Sequence, residues 1–261
     1  MSTSKKVLML HGYSQSDVIF RAKTAGMRKQ LQKKGYELIY PCGPYKLHSK
    51  DFNDSEVDLR DSEKSTGMYG WFLKDPETHS YTLEPELLEY LAQYIKENGP
   101  FDGIGGFSQG AGLAGYLSTD LWSILPLNKE EQPPFKFAMY FSGFKFEPEQ
   151  FQAPYETHPI QLKTLHIVGE LDSLVTEERS MKLFEACDPS TRTMVKHSGG
   201  HYIPNTKPFI NMILSWLHAQ ADENLRELSG SEESAMKNTV NNSDPQLDDD
   251  LLDMIDSFGK I

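Results

Sequence analysis

Three residue types in one order could carry acyl-transfer chemistry in this chain: the serine of Gly106-Phe107-Ser108-Gln109-Gly110, then Asp172, then His201. A serine hydroxyl is a weak nucleophile at neutral pH. It needs an imidazole to take its proton and a carboxylate to orient that imidazole. Serine, acid, histidine is one of the chain orders in which such triads occur, and G-x-S-x-G is the signature of a nucleophile elbow, a strand-turn-helix that lifts the hydroxyl clear of the sheet.

The same stretch also satisfies G-x-G-x-x-G, from Gly110 to Gly115, the dinucleotide-binding fingerprint. That motif must start directly after a strand, so that its glycines form the turn and the next helix points at a pyrophosphate. Here the strand FDGIGGF ends near Phe107, so Gly110 to Gly115 fall inside the following helix. About twenty residues on, Glu130 and Glu131 lie in a proline-bounded loop and not at a strand end. The elbow passes the context test and the fingerprint fails it. The later glycines are read as small residues that let the helix approach the sheet.

The elements needed to position these groups can be traced along the chain. VLML, ending at HGYSQS, is a first strand, DVIFRAKTAGMRKQLQKKG a helix, and YELIY a second strand. Residues 46 to 70 are polar and without clear period, and are read as a long surface excursion. EPELLEYLAQYIKENGP places Leu87, Leu88, Leu91, Tyr94 and Ile95 on one helical face and stops at Asn98-Gly99-Pro100. After FDGIGGF comes a small-residue helix through about Leu121, then strands FKFAMYFSGF, TLHIVGE and TRTMVKH, and a last helix KPFINMILSWLHAQ. Alternating strands and helices predict an α/β fold with a mostly parallel central sheet flanked by helices, in one catalytic domain over residues 1–218.

In this frame Asp172 lies just past the carboxyl end of TLHIVGE. His201 lies in the glycine-flanked loop SGGHYIPN after TRTMVKH. Its downstream competitors are placed less well, His166 within a strand, His197 at a strand end and His218 late in a helix. Two donors must hold the oxyanion. One expected donor is the backbone N–H of Gln109 at the start of the elbow helix, and the other is that of Tyr13 in LHGYSQ, with Gly12 as the alternative. His11 precedes Ser108 and is read as a loop anchor. Trp71 and Phe72 of MYGWF and Phe144 of SGFKF are expected to line an apolar acyl pocket, with core packing as the competing reading.

The 261-residue chain has a formal net charge of −12. Phosphate binding needs a basic surface, so nucleic acid is not an expected partner. From Ala219 to Ile261 there are eleven acidic and three basic residues, so the tail carries most of the charge. Residues 219–261 are read as acidic and largely disordered, with a short amphipathic segment, 247–258, built on Leu247, Leu251, Leu252, Ile255 and Phe258. That segment is either a docking helix for a protein partner or a solvated charge run. Cys42 and Cys187 are too few for a disulfide framework and lack the spacing of a zinc site. No apolar run reaches spanning length. A soluble, cytosolic protein without metal or cofactor is the expectation, with the nucleus left open.

Leu10-His11-Gly12, the phrase GPFDGIGGFSQGAG, Gly169-Glu170-Leu171-Asp172 and GGHYIPNTKP together resemble the fungal family of serine hydrolases over residues 5 to about 217. The ending DDDLLDMIDSFGKI is similar to that of one fungal member. The resemblance implies a small α/β-hydrolase with a Ser108, Asp172, His201 triad, hydrolysing acyl esters or thioesters of small molecules without a cofactor. Two other classes stay open from sequence: an acyltransferase on the same triad, and a binding module acting through the acidic tail.

Overall fold

The structure is a computed structural model that describes residues 4–48, 67–75, 77–78 and 80–220. The chain divides into two compact units, Met1–Met212 and Ile213–Ile261. The first carries the sheet and the candidate site. Of the second, only helical residues 213–220 are described, so the acidic tail from 221 on, including 247–258, lies outside the described residues.

Six parallel strands form the central sheet: β1 (Lys5–Leu10), β2 (Tyr36–Ile39), β5 (Gly103–Phe107), β6 (Phe137–Phe141), β7 (Lys163–Gly169) and β8 (Arg192–His197), in the order β2-β1-β5-β6-β7-β8. Two short strands, β3 (Tyr45–Lys46) and β4 (Tyr69–Gly70), pair antiparallel in a separate ladder. Covering both faces of a parallel sheet demands nearly continuous apolar strands. Every residue of β5 and β6, and Val7 to Leu10 of β1, is buried. The winding reverses between β1 and β5, and the carboxyl ends of strands at such a reversal open a crevice. The loops leaving those two strands are the HGYSQ segment and the Ser108 turn.

The helices are α1 (Asp17–Lys23), α2 (Ala25–Lys33), α3 (Pro85–Asn98), α4 (Gln109–Leu117), α5 (Leu121–Ile124), α6 (Gln152–Thr157) and α7 (Glu177–Glu185), with residues 207–212 helical at the end of the first unit. On α3 the expected face is the inner one: Leu87, Leu91 and Ile95 are fully buried, and Leu88 and Tyr94 pack partly buried against the core.

Two expectations need correction. The first predicted helix is two helices. The Thr24 hydroxyl turns back to the Phe20 carbonyl at 2.8 Å and also meets the Tyr40 hydroxyl, which ends α1 there. The small-residue helix stops at Leu117, where the Ser118 hydroxyl donates back to Ala114, and Asp120 caps the separate α5 by accepting from the Ser123 N–H. The polar excursion is tied at both ends by the β3–β4 ladder, extended by the Leu47 N–H to the Met68 carbonyl at 2.8 Å. Residues 49–66 of it lie outside the described residues.

Candidate active site

The Ser108 turn is built by close approach. A Cβ at Gly106 would collide with the backbone of Gly110 and the Leu10 carbonyl, and one at Gly110 with the carbonyls of Leu10 and His11. Only glycine at both positions lets β5 leave the sheet beside β1 and start α4 at once. Ser108 sits between them at φ 52° and ψ −115°, a conformation that costs a non-glycine residue of order 1–3 kcal/mol. Its N–H donates to the Phe141 carbonyl at 2.9 Å, which fixes the turn to the end of β6. Three non-glycine residues at positive φ occur among the described residues, Ser14, Ser108 and Ser142. They follow β1, β5 and β6, so backbone strain gathers at the carboxyl edge of the sheet.

Asp172 and His201 meet across the loops that follow β7 and β8. The His201 Nδ1 lies 2.7 Å from Asp172 Oδ2, and the other carboxylate oxygen accepts from the N–H groups of Leu174 and Val175 at 3.0 and 2.8 Å. Two backbone bonds hold the loops together, the Glu170 N–H to His197 and the Leu171 N–H to Gly199. The Asp172 side chain is fully buried, while that of His201 is 18% exposed. Burial disfavours the charge on Asp172. The hydrogen bonds from His201, Val175 and Ser142 outweigh it and keep the carboxyl below the usual carboxylate range. The His201 ring packs on Phe107, the residue before Ser108, with centroids 4.7 Å apart. A Cβ at Gly12 would touch that same Phe107 ring. The loops after β1, β5, β7 and β8 therefore converge on one place.

The competing histidines serve structure. His11 is fully buried; its Nε2 accepts from the Gly43 N–H at 2.8 Å, so Nδ1 carries the proton and donates to the Gly12 carbonyl at 2.7 Å. Burial lowers its pKa to about 4. His166 is buried within β7 beside Thr164 and Cys187, and burial lowers its pKa to about 3. His197 accepts the Gly199 N–H at 3.2 Å and packs on Tyr202.

Gln109 begins α4, and its buried side chain is held at both ends: Oε1 accepts from the Trp71 N–H and Nε2 donates to the Phe72 carbonyl, each at 2.8 Å. Tyr13 stands in the turn after β1, where the Gln15 N–H reaches the Gly12 carbonyl. The expected pocket aromatics are core residues. Trp71 exposes none of its surface, and its indole N–H donates to the His11 carbonyl at 2.8 Å. Phe72 stacks on Tyr81 and meets Phe146, and Phe144 lies under the Arg179 guanidinium. Two open grooves of about 430 and 530 Å³ lie elsewhere, and neither is lined by Ser108, Asp172 or His201. Sequence reasoning missed the role of Gln109's side chain and that of Ser142, because both partners come from segments far away in the chain.

A six-stranded parallel sheet with flanking helices and a strained serine at its winding reversal defines an α/β-hydrolase. Solved structures agree on the fold: esterase PE8 matches with a TM-score of 0.56 at 22% identity, covering 84% of this chain and 93% of that one. The acyl-protein thioesterase 2 of Zea mays matches with a TM-score of 0.52 at 17% identity, covering 84% and 95%. The family model described as serine hydrolase (FSH1) matches residues 1–213, and the chain belongs to that family. "Family of serine hydrolases 3" of Saccharomyces cerevisiae is 46% identical over 270 residues, covering 100% of both chains. "Esterase OVCA2" of Bos taurus is 32% identical over 232 residues, covering 83% of this chain and 97% of the relative. The protein is accordingly a serine hydrolase.

Among the described residues no helix is long and apolar enough to cross a membrane, and no group of three or more His, Cys, Asp or Glu side chains could hold a metal ion.

Proposed function

We propose that the protein hydrolyses carboxylic esters or thioesters of small acyl substrates through a Ser108–His201–Asp172 triad and an acyl-enzyme. The 2.7 Å bond between His201 and Asp172, with the same imidazole ring lying on Phe107, carries this reading. In the reaction His201 Nε2 takes the Ser108 proton as the hydroxyl oxygen attacks the acyl carbonyl. Asp172 holds Nδ1–H and stabilises the imidazolium. The N–H groups of Gln109 and Tyr13 stabilise the oxyanion, the Gln109 donor gaining from the start of α4. His201 then protonates the leaving alcohol or thiol, and water, deprotonated by the same imidazole, releases the acid and restores Ser108.

The large apolar residues left exposed among the described residues support an apolar acyl group. Leu171 and Leu174 flank Asp172, Tyr202 follows His201, Val18 opens α1 after the Tyr13 loop, and Leu73 follows Trp71 and Phe72. These side chains, rather than the buried Trp71, are where an acyl chain would lie. The free thiols of Cys42 and Cys187 fit a reducing, cytosolic setting.

The test is Ser108→Ala against the wild type, with a fluorophosphonate probe and a p-nitrophenyl ester. Loss of labelling and a fall in kcat by a factor of roughly 10⁴ or more are expected. Retained turnover in the variant would overturn the triad.

A further inference from the structure

One buried segment joins the two loops that carry the oxyanion donors, and it is the return limb of the polar excursion. Its connections run both ways. Toward the Ser108 turn, the Trp71 N–H donates to Gln109 Oε1, and the Phe72 carbonyl accepts from Gln109 Nε2, both at 2.8 Å. Toward the loop after β1, the Trp71 indole N–H donates to the His11 carbonyl at 2.8 Å, the indole packs on the His11 ring at 4.9 Å, and the Tyr69 N–H donates to the Gln15 carbonyl at 2.7 Å. Gly70 threads between the two, since a Cβ there would meet the Tyr13 ring at 3.0 Å and Gln109 Oε1 at 3.3 Å. His11, Trp71, Phe72 and Gln109 are buried, so the bonds among them do not compete with bulk water.

Oxyanion stabilisation depends on donors fixed before the charge develops, and a displacement of a few tenths of an ångström weakens it. We propose that Trp71 is a positioning residue for the oxyanion hole. Its two N–H groups, one on the His11 carbonyl and one on the Gln109 amide, tie the Tyr13 loop to the Ser108 turn and set the separation of the Gln109 and Tyr13 donors. The tie deepens the hydrolase reading and rests on it. It also gives the excursion a catalytic consequence, because whatever shifts residues 69–72 shifts both donors together.

Trp71→Phe removes the indole donor and keeps a ring. Gln109→Met removes the amide from the other end and keeps the Gln109 backbone N–H. Each variant is assayed per active site, by burst titration, for kcat, KM and the Ki of a boronic acid that mimics the tetrahedral intermediate. Expected for each is a fall in kcat of roughly 10- to 100-fold, KM within about twofold, and a Ki that rises in step with the loss of kcat/KM. The double variant should lose less than the product of the two single losses, because both break one tie. If kcat and Ki per active site stay within about twofold of wild type in either variant, the tie has only a packing role and the proposal falls. Ser108→Ala separates the two levels. Turnover surviving there removes the hydrolase reading itself, whereas a dead Ser108→Ala beside an unimpaired Trp71→Phe removes only the tie.

Discussion

The Asp172 carboxylate spends both oxygens within the protein, one on His201 and one on two backbone N–H groups, which leaves the imidazole one orientation. Asp172→Asn would keep the volume but offer a donor where Nδ1–H needs an acceptor. The expected result is a fold preserved by circular dichroism and a kcat lower by roughly 10³- to 10⁴-fold. A loss under tenfold would mean that Asp172 does not orient the base. Gly110 faces a different constraint. Any side chain there meets the Leu10 and His11 carbonyls, which are backbone and cannot step aside. Gly110→Ala should therefore cost about 3 kcal/mol in urea unfolding, although alanine is the better helix former. An unchanged or raised midpoint would show that α4 can draw back from β1.

Among the elements, the loops after β7 and β8 combine a buried polar centre with an exposed apolar fringe. Leu171 and Leu174 are 73% and 62% exposed on either side of an aspartate that is 6% exposed. Burying substrate methylenes against such side chains raises kcat/KM by roughly two- to fourfold per methylene until the surface is used up. Across p-nitrophenyl esters from acetate to decanoate, wild type should therefore rise with chain length. Replacing both leucines by serine should lower the decanoate-to-butyrate ratio of kcat/KM by about tenfold or more. A ratio that does not move would place the acyl chain elsewhere. The β3–β4 ladder is the other element with a consequence for the site, because it fixes where the segment carrying Trp71 enters.

For the molecule as a whole, two buried neutral histidines make stability depend on pH. His11 and His166 have pKa values lowered to about 4 and about 3 by burial, against about 6.5 in an unfolded chain. Between pH 6.5 and 4 the unfolded chain binds both protons and the folded one neither. Stability is thus complete above pH 6.5 and declines as the pH falls, by about 2.7 kcal/mol per pH unit for the two sites. Urea midpoints at pH 7.5 and 5.0 should differ accordingly, and His166→Gln should roughly halve the slope. Equal midpoints at the two pH values would show that the histidines are protonated or hydrated in the folded state.

Much of the architecture is local information, legible in the sequence. Apolar runs gave the strands of the central sheet, the period of EPELLEYLAQYI gave α3 and its inner face, and strand-turn-helix context separated the Ser108 elbow from the dinucleotide fingerprint. The order Ser108, Asp172, His201 and the loop position of each followed from the same reading. The helix break at Thr24, the short strands at the ends of the excursion, and α6 and α7 did not, since six to nine residues or fewer with few buried side chains carry too little periodicity to register. What the tertiary structure alone decided are relations between distant segments: the winding reversal between β1 and β5, the contact of His201 with Phe107, and the burial of Trp71 between His11 and Gln109. A tryptophan in sequence is equally suited to a pocket wall and to a core. In the fold its indole and backbone N–H groups find acceptors 60 and 38 positions away, because a buried N–H must be satisfied by whatever acceptor the fold brings within reach.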